Sequence, residues 1–71
     1  MSRRFEFVGG SSAKFWEVNA SGCDVTVRYG RLGTAGQSLL KSFPDPAAAH
    51  KHAEKLIAEK RAKGYVETAA V

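Results

Sequence analysis

Chemistry that depends on cysteine or histidine has little to work with in this chain. Cys23 is the single cysteine, which excludes an internal disulfide and a thiolate metal cluster within one chain. Its neighbours, Ser21-Gly22 and Asp24, supply no cation to activate a thiol. The only two histidines, His50 and His52, stand two residues apart in a stretch that reads as helix, so they point about 200° apart and cannot chelate one metal or act as a pair. No enzymatic activity, metal or cofactor is therefore expected. No apolar run approaches the ~18 residues a membrane span requires. The charged start, Met1-Ser2-Arg3-Arg4-Phe5, is not followed by the apolar stretch of a secretory signal. A cytoplasmic protein of bacterial type, with no membrane partner, is the expectation.

What is present suits one small folded unit. A chain of 71 residues makes a single domain, expected over 1–71 with a core from about 4 to 67, and one this short buries only roughly 60% of its unfolded surface. The 44% hydrophobic content argues against disorder. The net charge of +4 favours a polyanionic partner. Residues 1–44 hold six Lys and Arg against three acids and residues 45–71 hold five against four, so the excess sits in the first part.

Hydrophobic periodicity divides the chain into strands and one helix. Arg4 to Val8 alternates with period two, Phe5 and Phe7 on one side and Arg4 and Glu6 on the other. After the turn residues Gly9-Gly10-Ser11-Ser12, Ala13 to Asn19 sets Trp16 and Val18 against Phe15 and Glu17. Trp16 reads as core. Asp24 to Tyr29 aligns Val25, Val27 and Tyr29 against Thr26 and Arg28, and a glycine-rich turn leads into a fourth strand, Gln37 to Phe43. Pro44-Asp45-Pro46 then supplies a helix cap followed by a first-position proline. From Ala47 to Lys63 the residues Ala49, Ala53, Leu56 and Ile57 form one narrow apolar stripe, and Gly64 supplies a left-handed stop, with Tyr65 and Val66 placed to fold back on the last turn. The tail beyond Glu67 is expected to fray. The fold class is α+β: a small antiparallel four-stranded meander followed by one C-terminal helix packed on it.

The functional signal is concentrated in Val27-Arg28-Tyr29-Gly30-Arg31-Leu32-Gly33-Thr34-Ala35-Gly36-Gln37. There a ring at Tyr29 and a guanidinium at Arg31 flank a glycine that leaves the backbone open to close approach. Ring and cation together suit phosphate and base. Tyr29 shares its strand face with Val25 and Val27, so it reads either as a half-buried core ring or as a contact residue. Arg28 alternates to the opposite face and reads as part of a separate solvated strip, with Lys14 and Lys41 unassigned between the two faces. The glycines at 30, 33 and 36 join strand to strand, where a phosphate-cradling loop joins strand to helix, so they read as hairpin-turn glycines. Lys60, Arg61 and Lys63 complement the helix dipole without any ligand.

With Phe-Trp-Glu-Val at 15–18 and Lys-Leu-Ile-Ala-Glu-Lys-Arg-Ala-Lys-Gly-Tyr-Val-Glu at 55–67, the chain from Phe5 to Glu67 resembles the WGR domain, named for Trp-Gly-Arg, with tyrosine replacing the tryptophan. The resemblance implies a small antiparallel sheet with one helix. It also implies kinship with domains of DNA-dependent poly(ADP-ribose) polymerases and with bacterial proteins that include a proposed molybdate-metabolism regulator. In the polymerases the domain grips DNA near a break and contacts neighbouring domains. Carried over, Tyr29 takes the aromatic role, Gly30 the spacer and Arg31 the phosphate or docking role. No polymerase segments fit in this length. The expected function is a non-enzymatic, stand-alone module that binds nucleic acid, DNA in preference to RNA, through Tyr29, Gly30 and Arg31 with electrostatic support from Lys14 and Lys41. The alternative is a protein-docking adaptor that uses the same turn on an acidic partner. Dimerisation through a sheet edge stays open.

Overall fold

A computed structural model describes residues 2–68; the fraying expected beyond Glu67 falls largely on residues 69–71, outside that range. Strands β1 (Ser2–Gly9), β2 (Ser12–Ser21), β3 (Asp24–Arg31) and β4 (Gln37–Ser42) precede helix α1 (Pro46–Ala62) and a short strand β5 (Val66–Glu67). All pairings are antiparallel, in the order β4-β3-β2-β1-β5. The sheet thus has five strands where periodicity predicted four. β5 pairs only Glu67 with Phe5 and Val66 with Glu6, too short a run for alternation to register. Side chains hold it in place. The Glu67 carboxylate accepts hydrogen bonds from Arg3 Nε and Nη2, both at 2.8 Å, and from Arg61 Nη2 at 2.9 Å.

The helix starts and stops as its sequence directs. Asp45 caps it by accepting the Ala48 N–H at 2.7 Å, with Pro46 in the first turn. At the other end Gly64 adopts φ 97° and the Tyr65 N–H returns to the Lys60 carbonyl at 3.0 Å, closing a Schellman-type stop. Tyr65 folds back against Phe7, ring centroids 5.6 Å apart, whereas Val66 turns outward into β5 and stays exposed.

Alternation and helical periodicity meet in one core. Phe5, Trp16, Val18 and Val25 from the sheet close on Ala49, Ala53 and Ile57 of the helix, with Leu56 half-buried at the margin. Alanine at 49 and 53 lets α1 lie close on β2 and β3. Trp16 is core, as expected. His52 stacks near Phe43 at 4.8 Å between centroids while His50 faces solvent, so the two are separated as their spacing requires.

The face away from the helix has its own buried ring. Phe15, 1% exposed, is covered by the guanidinium groups of Arg4 and Arg28, whose central carbons lie 4.7 and 5.1 Å from its centroid. Glu17 holds both cations. Arg28 reaches it through two bonds of 3.0 and 2.9 Å, and Arg4 adds a third. Arg28 is therefore a structural lid in place of the solvated strip that alternation suggested.

Burial acts to raise the Glu17 pKa, but the hydrogen bonds from Arg4 and Arg28 outweigh it and hold the carboxyl below its ordinary value. A carboxylate depressed in the folded state lends stability that is present above its unfolded pKa, about 4.3, and lost as pH falls through the lower folded value. Glu17→Gln should cost about 1–2 kcal/mol at neutral pH. It should also flatten part of the fall in Tm below about pH 4.5; Glu67, whose carboxyl is likewise lowered, chiefly by its hydrogen bond from Arg3, contributes to the fall that stays. Thermal melts of the two proteins across acid pH check both the offset and the slope.

Candidate nucleic-acid interface

The turn after β3 is built around two glycines that the hairpin itself needs. A Cβ on Gly30 would stand 2.8 Å from the Gly36 Cα. A Cβ on Gly36, at φ 71°, would overlap the Tyr29 carbonyl and lie 2.8 Å from Phe15 Cζ. The close approach that glycine permits at position 30 is thus made by the protein's own backbone. Further bonds fix the loop: the Leu32 N–H donates to the Ala13 carbonyl at 3.0 Å, Arg28 Nη1 to the Ala35 carbonyl at 3.0 Å, and Thr34 Oγ1 to the Arg31 carbonyl at 2.7 Å. The residues around Gly30 are consequently presented on a braced edge.

Two cations stand side by side there. Lys14 and Arg31 are direct cross-strand partners. Because Ala13 and Leu32 make the ladder hydrogen bond, the adjacent Lys14–Arg31 pair is a non-hydrogen-bonded pair, the type in which facing side chains stand closest. Like charges at such a pair are unfavourable. Neither is in an ion pair with a carboxylate among the described residues.

Tyr29 flanks them on the same face, 38% exposed, with its hydroxyl 3.4 Å from Gln37 Oε1. Its ring lies outside the buried cluster, so it is not a core ring. Lys60 of α1 reaches the same place, its ammonium 5.2 Å from the Tyr65 ring centre and 5.7 Å from that of Trp16. Burial lowers its pKa, with the charges of Lys63 and Lys14 adding to the effect against Glu59. Lys14, Tyr29, Gly30, Arg31, Lys60 and Tyr65 together line a concavity of about 280 Å³ that lacks an acidic lining residue.

Lys41 is not part of this cluster. It pairs with Val25, six residues along β3 from Arg31, or about 20 Å away. It lies on the same sheet face and lines a neighbouring groove between β4 and α1, in which Tyr29 and Lys60 also take part. Lys14 and Lys41 therefore both sit on the Tyr29 face, opposite Arg28.

Ion pairing divides the cations into two groups. Of the eleven Lys and Arg, Arg3, Arg4, Arg28 and Arg61 are bound to Glu6, Glu17, Glu54 and Glu67. The other seven have no such partner among the described residues: Lys14, Arg31 and Lys41 on the strands, and Lys51, Lys55, Lys60 and Lys63 on the helix. The excess therefore extends from the strands onto the helix.

A family model of the WGR domain matches residues 1–71. The chain belongs to the WGR domain family. Protein YehF of Escherichia coli K12 is 49% identical over 67 residues, covering 94% of this chain and 24% of YehF; the uncharacterized protein YfeS of the same organism is 39% identical, covering 94% of this chain and 28% of YfeS. The crystal structure of a Bacteroides fragilis protein superposes with a TM-score of 0.94 at 52% identity, covering 97% of this chain and 20% of that one. The chain thus spans a quarter or so of the curated relatives it matches. Membership of the WGR family supports a nucleic-acid-binding module in general terms. No helix among the described residues of this WGR domain is long and apolar enough to cross a membrane.

Periodicity held a signal for Lys60 that dipole reasoning hid. The stripe Ala49, Ala53, Leu56, Ile57 continues to position 60 at the next i+4 and i+3 steps, which turns that lysine toward the sheet.

The turn geometry predicts that Gly36→Ala destabilises the domain by about 2–3 kcal/mol, from the left-handed φ and the contact with Phe15. For a domain of this size that is a fall in Tm of roughly 10 °C or more. Calorimetry of the variant beside Gly10→Ala, which shares a positive φ but meets no atom, separates the steric part from the backbone part.

Proposed function

We propose that this WGR domain binds a nucleic acid, DNA in preference to RNA, through the concavity at the Tyr29-Gly30-Arg31 turn. The observation that carries the reading is the Lys14–Arg31 pair: two like charges at the closest type of cross-strand position, with Lys60 beside them and no carboxylate in the concavity. The Lys14 ammonium lies 5.4 Å from the Phe7 ring centre, but the repulsion between the two cations is not offset by any carboxylate in the concavity, and a phosphate backbone relieves it. In this reading Arg31 and Lys14 engage phosphate, Lys60 adds a partly desolvated charge, and the open ring of Tyr29 stacks on a sugar or base. Gly30 serves by letting the loop close on itself. Lys41 supplies only longer-range attraction.

The same cations suit carboxylates, and the planar fork of Arg31 suits them best, so docking to an acidic protein is the competing reading. The module itself is proposed to act without catalysis. A partner retained from a nuclease-treated lysate that is lost with Arg31→Ala would favour docking.

Arg31→Ala should weaken binding to a short 5′-phosphorylated blunt duplex and lower the log–log salt slope by about 1, the signature of one lost phosphate contact. Fluorescence anisotropy at two or more salt concentrations measures both. Unchanged affinity and slope in a variant with a wild-type amide spectrum would remove Arg31 from the interface.

A further inference from the structure

Strand β4 forms one edge of the sheet, and all six of its residues are exposed. Helix α1 lies over β2 and β3 and leaves it uncovered. The direction of its free backbone groups follows from one hydrogen bond. The Phe43 N–H donates to the Cys23 carbonyl at 2.8 Å, and residues 43 and 23 are in the same register as every β3–β4 pair. Antiparallel strands alternate between residues that bond inward and residues that do not, so Lys41, Leu39 and Gln37 bond to β3. Ser38, Leu40 and Ser42 turn their N–H and C=O groups away from the sheet.

Edge strands of soluble proteins are commonly blunted by proline, a bulge or several charges. β4 runs Gln-Ser-Leu-Leu-Lys-Ser, with an unbroken ladder and one charge. Leu39 and Leu40 are 62% and 66% exposed, one on each face. On the helix side a groove of about 370 Å³ opens next to this edge, floored by Trp16, Val25, Val27 and Leu56 and rimmed by Lys41, Lys60 and Lys63. Glu59 is the one acidic lining residue.

We infer that β4 accepts an extended acidic peptide from another protein as an added antiparallel strand. Backbone hydrogen bonds to Ser38, Leu40 and Ser42 supply the attachment, and side chains supply the choice of sequence. The peptide residue facing Lys41 is acidic, and those facing Leu39 and Leu40 are apolar, so it reads acidic-apolar-apolar from N to C terminus. Further carboxylates meet Lys60 and Lys63. A second copy of the chain is a poorer occupant, since each carries a net charge of +4 and brings its own lysines to the edge. This inference does not depend on the nucleic-acid reading: its attachment is the β4 edge, and the two surfaces adjoin at Tyr29 and Lys60.

The probe is a capped peptide, Thr-Glu-Val-Val-Thr-Glu, titrated into isotope-labelled protein. Amide shifts concentrated on residues 37–43, with slowed hydrogen exchange at Ser38, Leu40 and Ser42, are the expected result. The peptide with lysine in place of both glutamates should give no shifts. Leu40→Pro removes one outward N–H while leaving the β3 ladder intact, and should weaken binding about tenfold. Leu39→Glu, which keeps the backbone, should abolish it and serves if the proline variant misfolds. Equal binding of the lysine peptide, shifts confined to residues 29–36, or no shifts at millimolar peptide would each overturn the inference. So would β4 shifts that depend on protein concentration alone, or that a duplex produces as well as the peptide does.

Discussion

Phe15 is the residue on which the charge distribution of this domain depends. It is a fully buried ring on the sheet face opposite the helix, where the described residues form no second layer to cover it. Arg4 and Arg28 lie across it, Glu17 holds both, and Gly36 presses against its far edge. The cover consumes two arginines and the most buried carboxylate of the ion-paired set. It also ties the loop from 32 to 36 to that face through the Arg28–Ala35 bond. What is left on the helix side of the turn is Tyr29, Arg31 and Lys14 with no acid to pair them. Removing an aromatic from water on one face thus concentrates uncompensated charge on the other.

The elements that span several periods were legible in the sequence. Alternation gave β1 to β3 their faces, and Asp45, Pro46 and Gly64 gave α1 its ends, because caps and alternation act locally and need no knowledge of the partner. β5 was not legible, since two residues hold no period and Glu67 is fixed by Arg3, more than sixty positions away. The site divides along the same line. Tyr29 and Arg31 stand out as a local motif, but whether Tyr29 is core, and whether Lys14 or Lys41 joins it, depends on strand register. Register placed Lys14 opposite Arg31 and carried Lys41 to the far end of the face. Lys60 comes from an element that no local reading ties to the turn.

Arg28 shows how one residue type serves both ends of the chain's chemistry. It stands three positions before Arg31, on the other face, and its guanidinium is spent on Glu17 and on the Ala35 carbonyl. Composition counts the two arginines alike. The ion pairs do not: the net charge of +4 is carried by residues that lack carboxylate partners, and these lie mainly along the helix and the sheet face it packs on.

The narrow helix stripe has a further consequence. Ala49 and Ala53 bring α1 down onto β2 and β3, and a helix about 10 Å across cannot also roof a strand two positions from β2. The core is therefore closed over the middle of the sheet and open over β4, so that Val27 is only half-buried and Leu39 is largely exposed. Lysines at 41, 60 and 63 border that opening, where apolar residues would have invited self-association of the bare edge. The same small side chains that stabilise the core thus determine where the sheet stays unfinished, and the lysines determine which charge a partner must bring to complete it.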